Sequence, residues 1–133
     1  MTPQEPEPQA YLREEPWAFD IALEIELNGE RIAATNARHL YWSVAQQIAH
    51  LTVNGATMRT GDLLGSGTIS GPERSERGSL LELSWNGTEP LALADGGERT
   101  FLEDGDEVVL HGVAGEGEAA VALGDVRGRI VAA

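Results

Sequence analysis

The sequence has no cysteine, and this absence excludes several kinds of chemistry at once. A chain without thiols forms no disulfide, no cysteine–zinc site and no thiolate nucleophile. The absence fits a reducing compartment, and we expect a cytoplasmic protein. The first 16 residues, MTPQEPEPQAYLREEP, are polar and have no apolar stretch typical of a secretory signal. No run approaches the roughly 18 apolar residues of a membrane span, so we expect no membrane partner.

Basic residues are also scarce, with 9 Lys and Arg against 22 Asp and Glu and a net charge of -13. A surface this acidic repels phosphate backbones and anionic membranes, so nucleic acid is excluded as an expected partner. The simplest interpretation is an acidic coat that keeps the protein soluble. An excess of carboxylates binds divalent cations only where the carboxylates cluster in space.

Aromatic residues make up only 5% of the chain, whereas glycine occurs 16 times in 133 residues. This length is typical of one domain, and frequent glycine favours many turns and a β-rich fold. Residues from Phe19 to Leu27 alternate between apolar and mostly polar, which predicts a strand. Asn28-Gly29 predicts a tight turn, and Arg31 to Thr35 would return as the partner strand.

One amphipathic helix is predicted from Ser43 to Leu51, since Val44, Ile48 and Leu51 form an apolar stripe. Ser43 and Gln46 have the spacing of a capping box. We therefore predict a mainly β (α+β) fold, an antiparallel roll or sandwich with this helix packed on it. Further strands are predicted at Leu63-Leu64, Leu80 to Trp85, Leu91 to Leu93, Val108 to His111 and Ala119 to Leu123.

The first 16 residues differ from the rest in composition, with four prolines and four acidic residues. Such a segment is typical of an extended arm or linker. We therefore divide the chain into a proline-rich arm, 1–16, and a folded part, 17–133.

A run of small residues, Gly65-Ser66-Gly67-Thr68-Ile69-Ser70-Gly71, lies in the middle of the chain. Its glycine spacing misses the dinucleotide fingerprint, and Pro72 stands where a helix would have to begin. Two interpretations stay open. The run is an irregular loop that only glycine permits, or its backbone N–H groups and the Thr68 hydroxyl hold a carboxylate ligand.

Glu82 lies within the predicted strand Leu80 to Trp85, where period two places it with Leu80 and Ser84 on one face. From the pattern alone it is a solvent-facing carboxylate; the functional alternative is a carboxylate that orients a histidine. The three histidines, His39, His50 and His111, are scattered, and there is no G-x-S-x-G elbow of a serine hydrolase. Asp104 to Glu107 is read as a turn, since the later ligands of a calcium loop are missing.

Long stretches of the sequence resemble the fumarylacetoacetase family. The central block is GDLLGSGTISGPERSERGSLLELSWNG, from Gly61 to Gly87. The resemblance starts at YLREEPWAFDIALEIELNG (Tyr11 to Gly29). It continues through Arg38 to Glu73, which begins RHLYWSVAQQIAH, through Gly78 to Leu93, and through RTFLEDGDEVVLHG (Arg99 to Gly112). The resemblance identifies 17–133 as the C-terminal part of a catalytic domain of this family.

The resemblance implies hydrolytic C–C cleavage of 4-fumarylacetoacetate, a small diketo acid, to fumarate and acetoacetate in tyrosine breakdown. Gly67 and Thr68 match the loop that binds the substrate's carboxylate end. Glu82 matches the catalytic carboxylate that works with a histidine to activate water. The family enzyme uses calcium or magnesium to stabilise the departing carbanion, and it is a homodimer.

The resemblance also implies what this chain lacks. The family's metal-binding carboxylates, its catalytic histidine and its clamp of arginine, glutamine and lysine lie upstream of the matched stretch. We therefore expect no metal ligand in this chain, no tightly bound cation, and no turnover by the chain alone. Three hypotheses remain: a fragment of the hydrolase, a non-catalytic structural or binding module of the same fold, and another activity of the superfamily completed by a partner chain.

Overall fold

An antiparallel sheet forms the centre of the protein, and the computed structural model describes residues 4–13 and 17–132. The strands are β1 Ile21–Leu27, β2 Glu30–Asn36, β3 Leu91–Ala92, β4 Glu98–Arg99, β5 Glu107–Ala114, β6 Val121–Ala122 and β7 Val126–Arg129. The helices are α1 Val44–Thr52 and α2 Leu80–Leu83. Short 3₁₀ turns occupy Ala10–Leu12, Ala37–His39, Arg74–Glu76 and Gly117–Ala119.

The hairpin of β1 and β2 starts the sheet. Asn28 and Gly29 adopt positive φ angles of 53° and 82° and turn the chain so that Leu27 pairs with Glu30. Asparagine and glycine tolerate this left-handed region, which is why the pair specifies a tight turn. The predicted hairpin is confirmed, although β1 begins at Ile21 instead of Phe19.

The main sheet has the order β2-β1-β5-β6, and β7 also pairs with β5. All its pairings are antiparallel, and β5 lies along the whole of β1, from Ile21 opposite Ala114 to Leu27 opposite Val108. Helix covers 20% and strand 25% of the chain. The predicted fold class, mainly antiparallel β with one principal helix, is confirmed.

Helix α1 begins as predicted but buries an unexpected face. Ser43 and Gln46 form the predicted capping box, with Gln46 N–H donating to Ser43 Oγ at 3.1 Å and Ser43 N–H donating to Gln46 Oε1 at 2.9 Å. Gln46 is the buried residue of the helix, at 2% exposure, whereas Val44 and Leu51 are exposed. The helix packs against the 3₁₀ turn Ala10–Leu12, and of the predicted apolar stripe Ile48 alone is half-buried.

The Gln46 side chain also binds the N-terminal segment. Its amide and that of Gln4 exchange two hydrogen bonds of 2.7 and 2.8 Å, and Gln46 Nε2 donates a further one to the carbonyl of Leu12. A buried amide is tolerated when its donors and acceptor are satisfied. Residues 4–13 of the predicted arm therefore lie against α1; residues 1–3 and 14–16 fall outside the described residues, and the division at residue 16 stays a prediction.

Several predicted strands differ from the structure. The strand from Leu80 to Trp85 is wrong, because these residues form α2 and the turn after it. Leu63-Leu64 is an exposed loop. The predicted strand from Ala119 to Leu123 shortens to Val121–Ala122.

The buried carboxylate of Asp106, 2% exposed, joins three separate parts of the chain. Arg99 of β4 donates from Nε at 3.0 Å and from Nη2 at 3.1 Å, and Asn28 of the β1–β2 turn donates from Nδ2 at 2.8 Å. The backbone N–H of Glu103 adds a fourth donor at 2.8 Å. The 104–107 segment is thus the predicted turn, and its central carboxylate is occupied by the protein's own donors.

The hydrogen bonds from Arg99 above all, and those from Asn28 and Glu103 with them, lower the pKa of Asp106 to about 2 although burial opposes this. A lowered pKa means that the folded state binds the carboxylate form more tightly than the unfolded state does. The stabilisation is therefore fully present above the ordinary value near 3.8 and is lost as the pH falls through about 2.

We expect Asp106→Asn to lower the free energy of unfolding at pH 7 by about 2 kcal/mol, because a neutral amide cannot match the charge of Arg99. The difference from the wild type should shrink as the pH falls from 4 toward 2. Urea unfolding at pH 7 and at several pH values from 4 to 2 measures both effects. Asp104→Asn, at an exposed position in the same turn, is the matched control. An equal loss in the two variants would contradict this role for Asp106.

His111 of β5 bridges two carboxylates on one side of the main sheet. Its Nδ1 lies 2.8 Å from Asp125 Oδ1, in the connection from β6 to β7, and its Nε2 lies 3.4 Å from Glu26 Oε1 on β1. The hydrogen bond to Asp125 chiefly, and that to Glu26, raise the pKa of His111 against partial burial. These two contacts tie the β6–β7 connection and β1 to His111 of β5.

A raised pKa stabilises the fold fully below the unfolded value of 6.5, and this contribution disappears as the pH rises through the higher folded value. We expect the wild type to exceed His111→Gln in melting temperature by more at pH 5.5 than at pH 8.5. His50→Gln, at an exposed position on α1, serves as control. A His111→Gln deficit that grows with pH would reverse the sign and refute the assignment.

Candidate functional site

Helix α2 carries Glu82, and a local cap explains why this segment is helical. Ser79 Oγ accepts the backbone N–H of Glu82 at 3.3 Å, and the N–H of Leu83 donates to the carbonyl of Ser79 at 2.9 Å. The helix ends where Trp85 and Asn86 take positive φ angles of 47° and 56°. Glu82 therefore sits on a single tight helical turn instead of on a strand.

Two leucines fix the orientation of α2. Leu83 is buried at 2% exposure, and with Leu80 it lines an apolar groove of about 390 Å³ over one face of the main sheet. Ile25 and Leu27 of β1 and Phe101 also line that groove. Residues three apart on a helix share a face, so the inward packing of buried Leu83 and half-buried Leu80 directs Glu82 to another side of the turn.

The carboxylate of Glu82 is held by the glycine-rich loop. Ser70 Oγ donates a hydrogen bond to Glu82 Oε2, and the backbone N–H of Gly78 donates to Ser70 Oγ at 3.0 Å. Glu82 is half-buried, and Arg77 Nη1 donates to its backbone carbonyl at 2.9 Å. Within the described residues, the other carboxylate oxygen, Oε1, has no hydrogen-bond donor.

Gly78 allows the loop to lie this close to α2. A Cβ at this position would come within 2.2 Å of the carbonyl oxygen of Ile69 and 3.1 Å of Thr68 Cγ2. A backbone oxygen at 2.2 Å cannot be accommodated without moving the chain. Absence of a side chain at Gly78 thus lets residues 68–70 pack against the start of α2.

The structure places the predicted substrate residues on the same loop. Gly67 has a positive φ of 78°, which favours glycine, and both Gly67 and Thr68 are exposed. Ser70, two residues after Thr68, contacts Glu82 directly. The loop and the carboxylate are therefore neighbours, while a common binding surface for Thr68 and Glu82 stays a prediction.

The histidines lie elsewhere. His39 Nε2 is 3.7 Å from Glu76 Oε1, His50 contacts Tyr11, and His111 lies between its two carboxylates. In the part of the chain that the structure describes, no imidazole hydrogen-bonds to Glu82. The same residues contain no cluster of three His, Asp or Glu suited to a metal ion. Nor do they include a helix with the length and apolar character needed to cross a bilayer.

The sequence contained one signal for the helix α2, but the alternation of apolar residues in the same segment favoured a strand. Ser79-Leu80-Leu81-Glu82 has the S-x-x-E spacing of a helix N-terminus, and the structure uses Ser79 as the cap. Ser70 carried no such signal, because its contact with Glu82 depends on how the loop folds back over 12 residues.

Comparison with known proteins identifies the family of the chain. The family profile described as "Fumarylacetoacetate (FAA) hydrolase C-terminal" matches residues 2–131. Three curated relatives are each called fumarylacetoacetase: those of Homo sapiens (44% identical, 98% of this chain), Caenorhabditis elegans (46%, 98%) and Arabidopsis thaliana (48%, 96%). The aligned part is 33%, 32% and 32% of these proteins, so the chain spans about a third of their length.

The profile match covers nearly every residue, including the glycine-rich loop, α2 and the Asp106 turn. The chain therefore belongs to the fumarylacetoacetate (FAA) hydrolase family and corresponds to the C-terminal part of that family's proteins.

Proposed function

We propose that this chain supplies the substrate loop of a fumarylacetoacetase-type active site and the carboxylate that orients its general-base histidine. The reaction is hydrolytic cleavage of a C–C bond in 4-fumarylacetoacetate, giving fumarate and acetoacetate. The observation that carries the proposal is the contact of Ser70 with Glu82, which joins the glycine-rich loop to the one carboxylate that the resemblance assigns to catalysis.

The assigned roles follow from the chemistry of each group. Glu82 Oε1 accepts the N–H of an imidazole from the upstream part of such an enzyme, and the imidazole's other nitrogen takes a proton from water. The hydroxide so formed attacks a substrate carbonyl, and the C–C bond breaks with its electron pair leaving on the acetoacetate carbon as an enolate. A proton returned to that carbon completes acetoacetate.

The exposed loop at Gly67 and Thr68 offers hydrogen-bond donors to the negatively charged carboxylate end of the substrate. Backbone N–H groups near Gly67 come close to a ligand because glycine has no side chain, and the Thr68 hydroxyl adds a donor. Together they bind the carboxylate end of the diketo acid. The family's calcium or magnesium would stabilise the enolate when bound; because the described residues hold no cluster suited to it, no step here is assigned to that ion.

The first test separates the chain's contribution from that of the whole enzyme. The 133-residue chain alone, assayed with calcium or magnesium, should match the no-enzyme rate, since no imidazole contacts Glu82 within its described residues. Joined to the upstream two thirds of the Caenorhabditis elegans relative, it should hydrolyse fumarylacetoacetate. Glu82→Gln should then lower kcat by about 10²–10⁴-fold, the usual contribution of general acid–base catalysis, because the histidine base would lose the carboxylate that orients it.

Glu116→Gln, at an exposed position far along the chain, is the matched control and should leave kcat unchanged. A chimera with full activity after Glu82→Gln would refute the proposed role of Glu82. An inactive but folded chimera would favour the alternative, a structural or binding module of the same fold. Turnover by the isolated chain would show a site assembled from its own residues.

We further propose that the chain self-associates, as a dimer in keeping with the family. Leu110 of β5, Val121 of β6 and Val126 of β7 are exposed, the last at 66%. Unpaired strand edges and exposed apolar side chains promote association, whereas the net charge of -13 opposes only nonspecific clumping.

Light scattering after size exclusion should therefore report a dimer or a reversible monomer–dimer mixture, with a melting temperature that rises with concentration. Val126→Asp should shift the mixture toward monomer, and Val131→Asp, an exposed residue after β7, is the control. A monodisperse monomer with a concentration-independent transition would instead indicate a stand-alone module.

A further inference from the structure

We infer that Ser70 is a positioning residue that fixes the carboxylate of Glu82 through a relay that starts at the backbone of Gly78. This inference rests on the proposed function for its catalytic meaning. The geometry itself is independent of that function: Gly78 N–H donates to Ser70 Oγ at 3.0 Å, and Ser70 Oγ donates to Glu82 Oε2.

The available protons determine which group donates in each of the two hydrogen bonds. A serine hydroxyl has one proton to donate and two lone pairs to accept with. The Gly78 amide can only donate, so it uses a lone pair of Ser70 Oγ. The hydroxyl proton is then directed to the carboxylate, which only accepts when it is ionised.

The relay gives the two carboxylate oxygens of Glu82 different hydrogen-bonding states. Oε2 is held by Ser70, while Oε1 has no donor within the described residues and stays available to a group from outside. A Glu side chain has three rotatable torsions, and one fixed oxygen removes most of that freedom. Ser70 therefore presents Oε1 in one orientation before any partner arrives.

Backbone packing fixes the positions of the residues that form the relay. Ser70 lies in the loop that packs on Gly78, where a Cβ would come within 2.2 Å of the carbonyl oxygen of Ile69. Ser79, the next residue, caps the helix that carries Glu82. The two ends of the relay are thus anchored to adjacent residues, 78 and 79, so loop and helix cannot shift independently.

The direct test measures the Glu82 side chain in the full 133-residue chain by NMR. In the wild type the Hα–Hβ couplings of Glu82 should report one rotamer, and in Ser70→Ala they should average over several. Ser70→Thr keeps the hydroxyl and should restore the single rotamer. Amide chemical shifts of β1 and β5 show that each variant is folded. Averaged couplings in the wild type, or unchanged ones in Ser70→Ala, would overturn the inference.

The second test uses the chimera with the upstream part of the Caenorhabditis elegans relative. We expect Ser70→Ala to lower kcat by about 10–100-fold with little change in KM, the size of effect usual for a residue that orients a catalytic group. Ser70→Thr should recover most of the loss. In the Glu82→Gln background, Ser70→Ala should cause no further decrease in kcat, because its effect passes through Glu82.

The two proposals fail in different ways. Normal activity in Glu82→Gln would refute the catalytic role of Glu82, while the NMR couplings would still decide whether Ser70 positions it. A large decrease in kcat in Glu82→Gln, together with an effect of Ser70→Ala on kcat that is the same in the wild-type and Glu82→Gln backgrounds, would refute the positioning role alone.

Discussion

The buried charge of Asp106 is the constraint on which the rest of this structure depends. Its carboxylate accepts hydrogen bonds from Arg99 of β4 and from the backbone of Glu103, both close in sequence, and from Asn28 of the β1–β2 turn, which is 78 residues away. Its backbone carbonyl also accepts the N–H of Ile130, just after β7. Burying a carboxylate is costly unless every lone pair is used, so these segments must come together in one arrangement. The network thus links the main sheet, at the β1–β2 turn and at β5, to β4 of the two-stranded sheet.

The two carboxylates of Asp106 and Glu82 show how the same group serves different purposes. Four donors occupy both oxygens of Asp106, so nothing from outside can bind it. Glu82 is half-buried and has one side-chain donor, Ser70, on one oxygen. A carboxylate that is held at one end and open at the other can accept a hydrogen bond from a partner group. This difference in occupancy supports a functional role for Glu82 and a structural one for Asp106.

Local patterns predicted the elements whose determinants are local. The alternation through β1, the Asn28-Gly29 turn and the Ser43–Gln46 capping box each act within a few residues, and the structure has all three. The segment from Leu80 to Trp85 was misassigned because six residues of alternating pattern fit a strand as well as a helical turn. The cap from Ser79 decided in favour of the helix.

Contacts between distant residues could not be predicted in this way. Asn28 and Asp106 are 78 residues apart, and Ser70 reaches Glu82 through a loop without periodic structure. The burial of Gln46 was also missed, since its partner Gln4 lies in a segment whose composition is typical of an arm. The resemblance to fumarylacetoacetases named Glu82, Gly67 and Thr68, but it did not say what holds the carboxylate.

A crystal structure of the chimera with the upstream part of a curated relative would test the central claim most directly. We expect Glu82 Oε1 to lie about 3 Å from a ring nitrogen of an upstream histidine, at hydrogen-bond distance, with Oε2 still bonded to Ser70. Thr68 would face the same cavity. Glu82 pointing to solvent, or an upstream surface that covers the glycine-rich loop without any imidazole near Glu82, would contradict the claim that this chain supplies the carboxylate partner of the catalytic histidine.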